Sequence, residues 1–192
     1  LMGYEGHVMF IPNRNERKKK CKEALAHLMK TKSMLEKEAL DAQVVSAGGT
    51  GTYDITALYA GVTEVQAGSY ATMDTKYRDL GVDFKCALTL LSTVISRPTE
   101  TRAVIDAGTK AVTSEYGMPQ IKGLPGVQLT TLHEEHGILR LQHCSKTLDM
   151  GDKIELIVSH GCTTVNLHDR LHAMRGDKLE AVWSIAARGR CR

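Results

Sequence analysis

The chain has 192 residues, 42% of them hydrophobic, which makes it globular by composition and long enough to bury one good core or two small ones. Its 25 basic residues against 22 acidic ones leave a net charge of +3 that is spread along the chain. The one basic run, Arg17-Lys18-Lys19-Lys20, falls within a helical pattern and reads as a solvated face, which argues against a nucleic-acid partner. Five cysteines, Cys21, Cys86, Cys144, Cys162 and Cys191, are odd in number and contain no CxxC pair. That excludes a disulfide framework and a zinc-finger spacing, and makes a reducing, cytoplasmic setting the expectation. No apolar run reaches membrane-spanning length, so no membrane partner is expected. The opening Leu1-Met2-Gly3-Tyr4 lacks the charged-then-apolar build of a signal peptide and reads as a strand end, as though a domain is entered midway.

In chain order, Leu25, Leu28, Met29, Leu35 and Leu40 recur at close to a helical interval among Lys and Glu, which predicts an amphipathic helix from about Arg14 to Leu40. A short strand is expected over Ala42 to Ser46, then a glycine loop, a second helical piece from Ile55 to Tyr59, a strand at Glu64 to Gln66, another glycine turn and a helix from Thr75 to Leu80. Helix, strand and loop in rotation is the grammar of an α/β barrel or layered sheet, with ligand loops at the strand C-termini. From Cys86 onward short β-rich runs are parted by Gly, Pro and Asp, which predicts a mostly antiparallel β-domain. The boundary is placed near residue 85, dividing the chain into 1–85 and 86–192.

The first chemical feature is the loop Ser46-Ala47-Gly48-Gly49-Thr50-Gly51-Thr52. Glycines let backbone N–H groups turn toward an anion while Ser and Thr hydroxyls donate further bonds, so a phosphate is a suitable guest. The loop lacks the Gly-Lys-Ser/Thr ending of a P-loop and is not GxGxxG, so the competing reading is a tight strand-to-helix turn. Gln66-Ala67-Gly68-Ser69-Tyr70 repeats the theme after the next strand, and two neighbouring glycine loops favour the anion reading.

The second feature is His160-Gly161-Cys162. On a strand, positions i and i+2 share a face, so nitrogen and sulfur would meet one ion, a donor pair suited to zinc. Two protein ligands leave an open, catalytic type of site. The alternative is a buried Cys beside a satisfied His. His133-Glu134-Glu135-His136 has its histidines three apart and reads as a surface turn; Asp152, Asp169 and Asp177 read as turn residues, Trp183 as core, and Tyr4 and His7 as pocket candidates.

Taken in order, "GYEGH", "VSAGGTGTYD", "EVQAGSYATMD", "VIDAGTK", "HEEHG" and "HGCTTVNLHD" resemble the D-serine dehydratase and D-threonine aldolase family, pyridoxal-phosphate enzymes of the alanine-racemase-like fold, over nearly the whole chain. The resemblance implies an eight-stranded α/β barrel followed by a β-domain, and usually a homodimer. It implies pyridoxal 5'-phosphate held through its phosphate by Thr50, Gly51, Thr52, Gly68, Ser69 and Tyr70, with Tyr4 beside the ring. It implies a catalytic cation, Zn2+ or else Mn2+, on His160 and Cys162.

Aldolases of the family tend to have Asp in the second metal position whereas dehydratases have Cys. The expected reaction is therefore loss of water from a small D-3-hydroxy amino acid such as D-serine, giving pyruvate and ammonia, with D-threonine aldol cleavage as the alternative. The family's Schiff-base lysine has no counterpart here, since Lys30-Thr31-Lys32 falls inside the first helix. The chain is accordingly expected to be the C-terminal part of a longer enzyme, inactive alone, or else a non-catalytic remnant.

Overall fold

The computed structural model describes residues 1–144 and 147–190; Cys191 lies outside the described residues. The chain divides into two compact units, Leu1–Lys85 and Cys86–Arg192. No helix among the described residues is long and apolar enough to cross a membrane.

In the first unit a 3-10 turn at Gly6–Val8 precedes α1, Arg14–Lys37. Asn13 starts α1 by accepting from the Glu16 amide at 3.0 Å, and pairs four apart, Lys20–Glu16 and Lys32–Glu36, lace its outer face. Cys21, Leu25 and Leu28 form its buried stripe and pack with Val8, Met9, Val45, Ala47 and Ile55. The strand expected over Ala42 to Ser46 is shorter and later: β1 is Ser46–Ala47, because the backbone of residues 42–45 is irregular while Val45 still faces the core. The chain then forms α2, Tyr53–Thr56, β2, Glu64–Val65, a 3-10 turn at Ser69–Ala71, and α3, Thr75–Asp79. β1 pairs parallel with β2 on one side and with Met2 on the other, a parallel run with helices between its members, as in part of an α/β barrel.

The second unit contains β3 (Thr89–Thr99), β4 (Arg102–Ile105), β5 (Gln120–Ile121), β6 (Val127–Leu132), β7 (Gly137–Leu141) and β8 (Lys153–Ile157). They make one antiparallel sheet in the order β5-β8-β3-β4-β7-β6, curled until it nearly closes on itself. β3 makes the curl: residues 89–93 pair with β8, residues 94–99 pair with β4, and register shifts at Val94, Ser96 and Thr99 bend the strand between them. Alternate residues Ala103, Ile105, Val127, Leu129, Leu139, Leu141, Ile154 and Leu156 fill the interior.

A short helix α4, Gly161–Val165, follows β8, and a separate hairpin joins β9, Arg170–Arg175, to β10, Lys178–Ser184. Trp183, expected in a core, is 58% exposed on that hairpin, which pairs with no third strand among the described residues.

Asp106, after β4, accepts from the Ser92 hydroxyl and the Thr93 amide, each at 2.7 Å. Burial alone would raise its carboxyl pKa, but the Thr93 and Ser92 bonds and nearby Lys153 outweigh it and hold the group below the ordinary aspartate value. A depressed native pKa gives stability that is present above the unfolded pKa and lost as pH falls through the folded one. Asp106→Asn is therefore expected to unfold more readily than the parent near neutrality, with the gap closing as pH drops to about 3. Urea midpoints at the two pH values measure this, and a pH-independent gap would contradict it.

Candidate cofactor and metal sites

In the first unit the glycine loop is built around a buried carboxylate. Glu5, 2% exposed, accepts from the Gly48 amide at 3.0 Å, the Thr52 hydroxyl at 2.7 Å and the Thr56 hydroxyl at 3.0 Å, with the Cys21 thiol at 3.4 Å. Burial, with the Glu5 charge adding to it, pushes the Cys21 thiol up to about 11, so the sulfur stays protonated and acts as a donor. Gly48 has φ +77°, a left-handed backbone that suits glycine. At Gly51 a Cβ would lie 2.4 Å from the Met9 carbonyl oxygen, so only glycine fits that approach. A Cβ on Gly49 would lie 2.9 Å from Cε2 of Tyr4, which places the half-exposed Tyr4 ring against the loop.

The second glycine loop is tied to the first. Because β1 and β2 run side by side, their C-terminal loops meet, and the Tyr70 amide donates to the Thr50 hydroxyl at 3.1 Å. Tyr70 also packs on Phe84, ring centroids 5.5 Å apart. A Cβ on Gly68 would meet nothing within 4 Å. The structure thus brings together Tyr4, Thr50, Gly51, Gly68, Ser69 and Tyr70.

Thr52 departs from the expected role, because its hydroxyl donates to Glu5 and its amide donates to Gly49 O at 3.0 Å. Both of its donors are spent inside the protein, so it shapes the loop. Donors in the two loops without an acceptor among the described residues include the amides of Thr50, Gly51, Gly68 and Ser69 and the hydroxyls of Thr50 and Ser69. Lys30 is exposed on α1 and Lys32 is paired with Glu36. His7 is exposed in the 3-10 turn.

In the second unit the His-x-Cys pair does not stand on a strand. β8 ends at Ile157, His160 has extended backbone angles (φ −147°, ψ 121°) as the residue that precedes α4, and Cys162 lies exposed in its first turn. The alternation argument for a shared strand face therefore fails. The chain turns into a helix here because Gly161 and Thr164 are buried against the 113–116 segment: Ser159 Oγ donates to Thr113 O at 3.2 Å, and the Thr113 amide donates to Thr164 Oγ1 at 3.4 Å.

His160 remains a good ligand candidate for a different reason. Its Nδ1 is 2.9 Å from Glu115 Oε2, and its ring stacks on Tyr116 with centroids 4.4 Å apart. The bond from His160 holds the Glu115 carboxyl below the usual glutamate range. Among the described residues no group of three or more His, Cys, Asp or Glu side chains is placed to hold a metal, so His160 and Cys162 gain no third ligand of these types. An imidazole with one nitrogen already engaged and a free thiol in the adjoining turn are donors that fit zinc at an open site. His133 and His136 close the β6–β7 turn, where the His133 amide donates to His136 O at 2.8 Å.

Sequence reasoning did not find Glu5, Glu115 or Tyr116. Glu5 lies in the GYEGH motif, but a carboxylate between Tyr4 and Gly6 carries no mark of being buried.

Residues 87–174 match the family model for a putative serine dehydratase domain. The chain is 36% identical to a D-threonine aldolase of Arthrobacter sp. over 193 residues, which covers 98% of this chain and 51% of that protein. The chain belongs to the D-serine dehydratase and D-threonine aldolase family.

The crystal structure of D-threonine aldolase from Filomicrobium marinum superposes with a TM-score of 0.94 at 31% identity, over 99% of this chain and 53% of that one. D-threo-3-hydroxyaspartate dehydratase from Delftia sp. HT23 superposes with a TM-score of 0.83 at 26% identity, over 95% of this chain and 54% of that one. A D-threo-3-hydroxyaspartate dehydratase has also been solved as a His→Ala variant and, in a metal-free form, as a Cys→Ala variant two positions further on. The fold is alanine-racemase-like, and the chain spans about half the length of the curated relatives it matches.

Proposed function

We propose that this chain carries the phosphate-holding and cation-holding parts of a pyridoxal-phosphate- and metal-dependent lyase that removes water from D-serine or a related D-3-hydroxy amino acid. The proposal includes the chain's being the C-terminal part of a longer, cytoplasmic, homodimeric enzyme whose Schiff-base lysine lies in the remainder. The observation that carries it is the His160–Cys162 pair with Nδ1 of His160 engaged by Glu115. The solved D-threo-3-hydroxyaspartate dehydratase variants support it, with a histidine and a cysteine substituted at the same separation and the cysteine variant metal-free.

When bound, pyridoxal phosphate supplies an electron sink for the charge left at Cα once the α-proton departs. A cation supplies Lewis acidity at the β-hydroxyl, a poor leaving group. The amides of Thr50, Gly51, Gly68 and Ser69 would hold the phosphate, and the Ser69 hydroxyl would add a further donor. Thr52, Glu5 and Tyr70 act behind them by fixing the two loops. Tyr4 would lie along the ring and limit its tilt. His160 and Cys162 would hold the cation, leaving its remaining positions for water and the substrate hydroxyl. The free thiols of Cys21, Cys144 and Cys162 agree with a reducing compartment.

Aldol cleavage is the second reading, favoured by the Arthrobacter and Filomicrobium relatives, which are D-threonine aldolases. Joined to a lysine-bearing barrel segment, the chain is expected to release pyruvate and ammonia from D-serine, and to do so only with a divalent cation. Glycine and acetaldehyde from D-threonine, with no pyruvate from D-serine, would replace dehydration with the aldol reaction.

A further inference from the structure

We propose that Glu115 is the positioning residue that decides which nitrogen of His160 is offered to the cation, an inference that rests on the reading of His160 and Cys162 as the metal pair. Glu115 Oε2 stands 2.9 Å from Nδ1. An ionised carboxylate only accepts, so the imidazole proton resides on Nδ1 and the lone pair on Nε2. Thr163 Oγ1, at 3.3 Å, lies on the same nitrogen, and Nε2 has no hydrogen-bond partner among the described residues.

Two further contacts keep the ring from turning over. The Tyr116 ring stacks on it at an interplanar angle of 30°. The segment that bears Glu115 and Tyr116 is itself pinned to the strand-to-helix junction by the Thr113–Thr164 and Ser159–Thr113 bonds. An imidazole without such a partner divides between two tautomers and rotates, so part of its population presents N–H to the metal. A carboxylate behind the ring removes that fraction and makes the ligating nitrogen more basic.

The alternative is that Glu115 and His160 form an ion pair that serves stability alone. Long-range 1H–15N spectra of the 15N-histidine-labelled chain, taken metal-free at pH about 8.5 where imidazole is neutral, read the tautomer directly. Zinc titration of the same samples reads affinity. Wild-type His160 is expected as the Nδ1–H form. Glu115→Ala is expected to show mixed tautomers and to bind zinc roughly 10–100-fold more weakly. Glu115→Gln, whose carbonyl still accepts from Nδ1, is expected to recover the tautomer and much of the affinity.

A wild-type Nε2–H form would overturn the proposal. So would Glu115→Ala binding zinc as tightly as the parent while His160→Ala loses it, which would leave the metal reading standing. If His160→Ala itself binds zinc like the parent, the metal reading falls and takes this inference with it.

Discussion

Glu5→Ala is expected to destabilise the first unit by about 2–4 kcal/mol and to weaken its hold on phosphate. The carboxylate is the common acceptor for a buried amide, two buried hydroxyls and a buried thiol, from Gly48, Thr52, Thr56 and Cys21. Each donor left without a partner away from water costs roughly 1–3 kcal/mol. The hydroxyls recover part of that, since Thr52 and Thr56 are 3.5 Å apart and can turn toward each other. The Gly48 amide has no such freedom. Glu5→Gln keeps one acceptor but points an N–H2 group at the remaining donors, so it should fall between the alanine variant and the parent. Urea unfolding with pyridoxal phosphate titration measures both effects, and a loss below about 0.5 kcal/mol, the range of ordinary surface changes, would show that the loop does not depend on this residue.

Cys162→Ala is expected to leave the fold intact and to abolish metal dependence. The side chain is exposed, so its loss should move stability by no more than about 0.5 kcal/mol. If the thiolate is one of two protein ligands, removing it should weaken cation binding by more than the roughly 10–100-fold that follows loss of an outer hydrogen-bond partner. In a lysine-complete enzyme, dehydration of D-serine should stop with it. Cys162→Asp replaces sulfur with oxygen and should shift preference from zinc toward manganese, because carboxylate suits the harder ion. Equilibrium dialysis with metal analysis reads both variants; unchanged zinc uptake in Cys162→Ala would remove the thiol from the site.

What could be read from the sequence was what repeats or punctuates. Leu25 and Leu28 recur at helical spacing because one face of α1 is buried, and the alternation through Val127 and Leu129, or Leu139 and Leu141, exists because one face of the curled sheet is buried. The two glycine loops were visible because Gly48 and Gly51 answer to backbone constraints that act locally.

The turn at His160 was not visible. Five residues of α4, Gly161–Val165, are rich in β-branched and small side chains and are held helical by contacts with Thr113, some 50 positions away. Glu5, Glu115 and Tyr116 share that difficulty, since their roles come from partners distant in sequence: Glu115 meets His160 across 45 positions and Glu5 meets Thr56 across 51. Trp183 misled for the opposite reason. A large apolar residue is usually buried, and here it sits on an exposed hairpin.

The most direct measurement is an anomalous-difference map from crystals of the chain grown with zinc. The account predicts a single strong peak about 2.3 Å from Cys162 Sγ and roughly 2.0–2.1 Å from Nε2 of His160, with Glu115 still on Nδ1. A peak on other residues, or none near α4 at saturating zinc, would contradict it.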